Sequence, residues 1–261
     1  MKLKAIAVAA GLVLAGPALA DYGNGPDPYA PGYGFDTPTE ASWGGWTRGD
    51  AGTVYAEWDS FTGGSAGTGS READYGFLGA NTATLSWNNA FVAGSGNLYA
   101  FSGTVQSYTI NVTPTTAFSG PVTVALQFET WGTPIDYNSV KLNGLAPSNV
   151  GTGPTPPPPG EGFPSNPVWI DIPGDVTYFG PTSSSIGAVD LSQYLAVWTL
   201  DSAPASFDFA FNSTYVHQSF AQVAVDIAAA PIPEPGEWAM LLAGLGLMGA
   251  IVRRRNTGGK A

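Results

Sequence analysis

The chain has 261 residues, with Gly 35, Pro 22 and no Cys, and its charged fraction of 11% is under half the usual level of about 25%. The formal net charge is −11, but six of the nine basic residues lie near the two ends, so the span Asp21–Pro235 sets three basic residues against nineteen carboxylates, a net of −16. This excludes disulfides, thiol catalysis and zinc-thiolate sites, and it excludes nucleic acid as a partner, because that binding rests on neutralising phosphates with Lys and Arg.

In chain order, residues 1–20 read as a secretory signal peptide. Lys2 and Lys4 form its positive start and Ala5–Leu14 its apolar run. Ala18-Leu19-Ala20 is a small-x-small site at which signal peptidase would cut, leaving Asp21 as the new N-terminus. Residues 21–52 are rich in Gly, Pro and turn formers, with Trp43 and Trp46 among them, and read as a loosely structured lead-in whose aromatics can pack on the domain. Short β-branched or aromatic runs bounded by turn residues follow: Thr53–Trp58, Thr82–Trp87, Leu98–Phe101, Tyr108–Val112 and Val122–Thr130. The clearest is Val122–Glu129, whose Val122, Val124, Leu126 and Phe128 share one face, the period-2 mark of a half-buried strand.

Residues 151–162 carry the run Pro156–Pro159, a stiff extended loop. Beyond it the strand candidates are Val168–Ile172, Asp175–Phe179, Tyr194–Leu200, Ser206–Phe211 and Ala221–Ala228, with Ser139–Leu142 just before the loop. No amphipathic helix stands out between the two ends. These elements predict an all-β fold: one antiparallel, jelly-roll-like β-sandwich over 53–230, flanked by an N-terminal signal helix and a C-terminal transmembrane helix.

The last part, residues 231–261, has a distinct construction. Pro233-Glu234-Pro235 precedes an apolar stretch from Trp238 to Val252, which includes Leu241, Leu242, Leu245, Leu247 and Ile251. Arg253-Arg254-Arg255 closes it. As a helix the stretch reaches roughly 22 Å, short of a typical hydrocarbon core of about 30 Å, unless the arginines snorkel and the bilayer thins. The arginines hold their end in the cytoplasm, and the prolines keep Glu234 extended near the outer interface, where a membrane-embedded protease could reach it. This arrangement resembles the PEP-CTERM sorting signal. The resemblance implies exosortase as a partner, an integral-membrane cysteine peptidase that processes near the Pro-Glu-Pro site. It also implies a Gram-negative host that makes exopolysaccharide and grows in biofilms. Two details depart from the family pattern: six residues follow the arginines, and Ile232 stands where Val is common. The implied route is export, transient anchoring in the inner membrane, then residence at the cell surface or in the extracellular matrix.

Signals for catalysis are weak. One His, His217, and no Gly-x-Ser-x-Gly turn argue against a Ser-His-Asp triad. Glycoside hydrolysis needs only two carboxylates at a suitable separation; Glu57 with Asp59, or Glu129 with Asp136, would qualify by composition. Gly244–Gly249 matches a dinucleotide-binding pattern but lies inside the apolar stretch, without the strand that gives the pattern meaning. Arg48-Gly49-Asp50 reads as a coincidental integrin tripeptide, and the sequons at Asn111 and Asn212 carry weight only in a host that uses them. A binding role fits better: Trp58 and Trp131 are candidates for a flat platform under sugar rings, with Trp131 expected to be the more exposed. No cofactor is expected; calcium is the one metal that Asp-rich loops would suit, at an irregular site. The resulting expectation is a non-enzymatic surface or matrix protein for adhesion or association with exopolysaccharide. The alternative is a membrane-anchored glycan-active hydrolase using paired carboxylates.

Overall fold

The computed structural model describes residues 27–148 except 32, 62–66 and 100–104, residues 175–230 except 185 and 186, and residues 244, 245, 247 and 248. Among these, twelve strands are present: β1 (Thr53–Trp58), β2 (Gly67–Glu72), β3 (Tyr75–Leu78), β4 (Ala80–Val92), β5 (Leu98–Tyr99), β6 (Ser107–Pro114), β7 (Val122–Gly132), β8 (Ile135–Leu142), β9 (Asp175–Ser184), β10 (Gly187–Leu200), β11 (Phe207–Ser213) and β12 (Gln218–Ala229). Ten of the expected runs fall on these strands; Val168–Ile172 lies outside the described residues.

All the strand pairings are antiparallel. The expected antiparallel β architecture is therefore present. Instead of two separate sheets, however, the strands form one continuous, nearly closed, barrel-like sheet in the order β8-β11-β6-β4-β5-β12-β7-β10-β9, with β1 beside β12, β3 beside β1, and β2 beside β4. The expected flanking helices fall almost wholly outside the described residues.

The sheet bends where β4 changes partner. Its ladder with β6 ends at Asn88↔Ser107, and a two-rung ladder with β5 begins at Phe91↔Tyr99. Between them Asn89 has φ 58°, a left-handed conformation that Asn tolerates better than most residues. On the opposite side the chain itself crosses over: β2 pairs with β4, and three residues later β3 pairs with β1. Gly79 turns the chain from β3 into β4 at φ 74°, where a Cβ would lie 2.0 Å from the Thr53 carbonyl oxygen.

The bend brings two faces together around one core. Val54 and Trp58 of β1, Leu126 and Phe128 of β7, and Phe220 and Val225 of β12 meet Leu85, Ile110, Phe209 and Phe211 from the other half. Phe128 is central. It stacks on Tyr194 at 4.7 Å and on Phe211 at 5.1 Å between ring centroids, and Tyr108 stacks on Phe220 at 4.5 Å. Such offset stacks add to the area each ring buries. With no cysteine to cross-link the chain, this packing carries the fold.

The Phe128→Ala variant should lose about 3–5 kcal/mol of stability, because the surrounding rings cannot close the cavity. Urea unfolding of the two proteins at one pH measures this directly.

Candidate functional site

The outward face of β1, β12, β7 and β10 is polar yet buried. Glu57, Gln222, Glu129 and Gln193 come from these four strands in turn. Gln222 lies opposite Glu129, and Glu129 lies opposite Gln193. Gln193 donates to Glu129 at 2.6 Å, Gln222 donates to Glu57, and the Tyr55 hydroxyl also donates to Glu57. Strand β7 is thus covered on both faces, where a half-buried strand was expected.

The cover is the lead-in. Rather than lying loose, residues 27–50 fold through successive turns and dock on this face. Tyr29 and Phe35 pack edge to face at 5.4 Å, and Phe35 lies against Tyr55 and Ala224. Tyr33 covers Trp131, Leu191 and Ala221. Two carboxamides take the place of strand partners for the cover's backbone. The Gln127 side chain accepts from Asp36 N at 2.8 Å and donates to Asp36 O at 2.9 Å, and Gln193 accepts from Gly34 N at 2.5 Å.

Arg48 fastens the far end. Its guanidinium donates to both carboxylate oxygens of Asp226, at 2.8 and 2.7 Å, and to the Tyr29 hydroxyl at 3.0 Å. Its carbon sits 3.8 Å from the centroid of the Tyr55 ring. A planar fork suits this buried, two-point grip, which a lysine could not reproduce. Within the Arg48-Gly49-Asp50 tripeptide, Arg48 is therefore an internal fastening, its side chain only 12% exposed.

Burial dominates the electrostatics. It raises Asp226, and the Arg48 fork opposes that rise through its hydrogen bonds and its charge. It raises Glu57, against the donors from Tyr55 and Gln222. Glu129 has no cation in its surroundings; burial pushes it up to about 7, opposed by Gln193 and more weakly by the Trp131 indole, which stands outside hydrogen-bond geometry.

Trp58 and Trp131, expected as the sugar platform, are 0% and 4% exposed. Trp58 faces the main core and Trp131 lies under Tyr33, so neither presents a flat face to solvent. Of the candidate acids, Glu57, Asp59 and Glu129 are buried, while Asp136 receives the Asn138 backbone N–H at the surface. Among the described residues, no three His, Cys, Asp or Glu side chains cluster as a metal site. Ala18, Ala20, Asp21, Pro233, Glu234, Pro235 and the anchor from Trp238 to Arg255 lie outside the described residues, apart from Gly244, Leu245, Leu247 and Met248, which are helical and exposed. Among the described residues no helix is long and apolar enough to cross a membrane.

Sequence reasoning missed the polar row and its cover. One signal was available: Arg48 is one of only three basic residues among nineteen carboxylates in this span, so a buried ion pair there had few cations to choose from.

The described residues define an antiparallel, barrel-like β protein. Residues 231–255 match the PEP-CTERM protein-sorting motif, and the chain is a PEP-CTERM sorting domain-containing protein. The motif indicates membrane-anchored, exosortase-dependent sorting toward the cell surface, with exosortase as the processing partner. No curated protein and no solved structure matched the chain.

Two outcomes follow for the buried face. Arg48→Met leaves Asp226 buried without its cation and should cost about 3–5 kcal/mol, while an added Asp226→Leu should recover most of the loss; urea unfolding, with limited proteolysis of residues 27–50, reports both. For Glu129 the folded pKa lies above the unfolded 4.5, so the stability it contributes is complete below about pH 4.5 and is lost as pH rises through 7. Glu129→Gln should therefore match the parent near pH 4 and exceed it at pH 8 by roughly 3 kcal/mol, measured by unfolding at both pH values.

Proposed function

We propose that this protein is a non-enzymatic component of the cell surface or extracellular matrix, whose barrel-like body serves adhesion or association with exopolysaccharide in biofilm-forming cells. Signal peptidase releases it for export, the inner membrane holds it briefly by its tail, and exosortase passes it on. The observation that carries this reading is the sorting motif at 231–255 joined to a body in which three of the four candidate catalytic acids, Glu57, Asp59 and Glu129, are enclosed. Glu129 has the raised pKa that a general acid needs. It nevertheless lies beneath the cover and hydrogen-bonded to Gln193, where a glycosidic oxygen has no approach.

The strong negative charge of the body narrows the polysaccharide. At −16 over Asp21–Pro235, a polyanion such as a uronic-acid polymer is repelled, and neutral chains are favoured. Probing a glycan array with the full chain, purified in a non-glycosidic detergent, should give binding to neutral glycans and none to polyuronates. Release of reducing ends from a bound glycan would instead support the hydrolase, and an array blank at every spot would remove the polysaccharide role.

A further inference from the structure

The outward face of the sheet does not end where its cover ends. Tyr33 of the cover lies on Trp131, and the register continues past it through Ser219 on β12, Tyr99 on β5 and Phe91 on β4. Leu98 and Phe220, the alternate residues, are fully buried in the core, so Tyr99 and Ser219 point the other way. There Phe91 and Tyr99 meet edge to face at 6.0 Å, and Tyr99 and His217 pack at 6.2 Å. All three are partly exposed, and Tyr215, two residues before His217, is 54% exposed.

His217 is held in an unusual conformation. Its φ is 69°, and among the described residues the other two non-glycine residues with positive φ are both asparagines, Asn89 and Asn143. The backbone beside it is pinned by Thr133, whose hydroxyl donates to Val216 O at 2.7 Å. The ring is fixed as well, with Nδ1 3.0 Å from the Tyr99 hydroxyl. Its other nitrogen, Nε2, has no hydrogen-bond partner among the described residues. Backbone strain maintained by its surroundings, with a polar atom left outward, is a common property of ligand sites.

We infer that Phe91, Tyr99 and His217, with Tyr215 at the rim, form a binding site for a neutral pyranose of a polysaccharide chain. The apolar C–H face of the sugar lies on the Tyr99 ring with Phe91 edge-on beside it, and a sugar hydroxyl exchanges a hydrogen bond with His217 Nε2. Three properties select this ligand. Aromatic rings joined to fixed hydrogen-bonding atoms match a molecule with one apolar face and a polar rim. Phe91 and Tyr99 sit on paired strands, so little ordering is needed on binding. The charge of −16 on the surrounding span disfavours an anionic sugar.

The site rests on the polysaccharide reading above, and the test separates the two. The full chain in non-glycosidic detergent is titrated by calorimetry with cellohexaose, maltohexaose, xylohexaose and mannohexaose, and with polygalacturonate as the anionic probe. The parent should bind at least one neutral hexaose. Tyr99→Ala should weaken that binding by about tenfold and Tyr99→Phe by about threefold, since the latter keeps the ring. His217→Asn keeps a residue that accepts positive φ but removes the imidazole, and should weaken binding by about fivefold. Saturation-transfer NMR should place the sugar protons against the tyrosine and histidine rings. If the parent binds a hexaose and the three variants bind it equally well, the site is wrong while the polysaccharide role stands. If the parent binds none of the probes, both fall.

Discussion

A charged pair on the outside of the sheet, Arg48 on Asp226, decides how this protein is assembled. A barrel-like sheet ordinarily exposes its outer face to water, and the side chains there need no partner. Here β1, β12, β7 and β10 carry a row of acids and amides that is closed off from water, so each group must find its hydrogen bonds within the protein. Segment 27–50 supplies them. Its backbone satisfies Gln127 and Gln193, its aromatics fill the spaces between, and its one guanidinium neutralises Asp226. Removing the segment would expose a surface that is neither apolar enough to pack against another chain nor free of buried charge.

The inner face follows a different principle. Stacked Phe and Tyr rings from both halves interlock around Phe128, and no polar group is needed to specify their register. Alternation along each strand sorts the two chemistries, rings inward and amides outward, so one strand contributes to both. Glu129 and Phe128 are neighbours in sequence on opposite faces of β7. This economy has a consequence for pH. The same burial that makes the outer face cohesive raises Glu129 to about 7, so the fold is less stable in alkaline conditions.

The sorting signal could be read in full from the sequence, because a processing enzyme recognises a linear pattern and the chain displays it linearly. Strands such as β1, β7 and β12 were legible for a similar reason: their alternation is local. Strand β2 was not. Its Gly67-Thr68-Gly69-Ser70 has the composition of a loop, yet Gly69 is there because the Trp87 ring lies across it, where a Cβ would come within 2.2 Å of the indole. The cover was equally hidden, since Arg48 and Asp226 stand 178 residues apart and neither carries a local mark of its partner. The tryptophans misled for an energetic reason. Trp58 and Trp131 are worth more under cover than under a sugar, because both faces of this half of the sheet are occupied.

The last strand is also the route by which the body is joined to its tail. Strand β12 is bonded along its whole length to β7 and on its other side to β1 and β5, and Ala230 N still reaches Pro121 O at 2.9 Å just before the sorting segment begins. A pull on the tail therefore runs along the axis of a strand gripped from both sides. Tension along that strand loads its rungs together in shear, not one after another, so the tether meets the fold at a strand held on both sides.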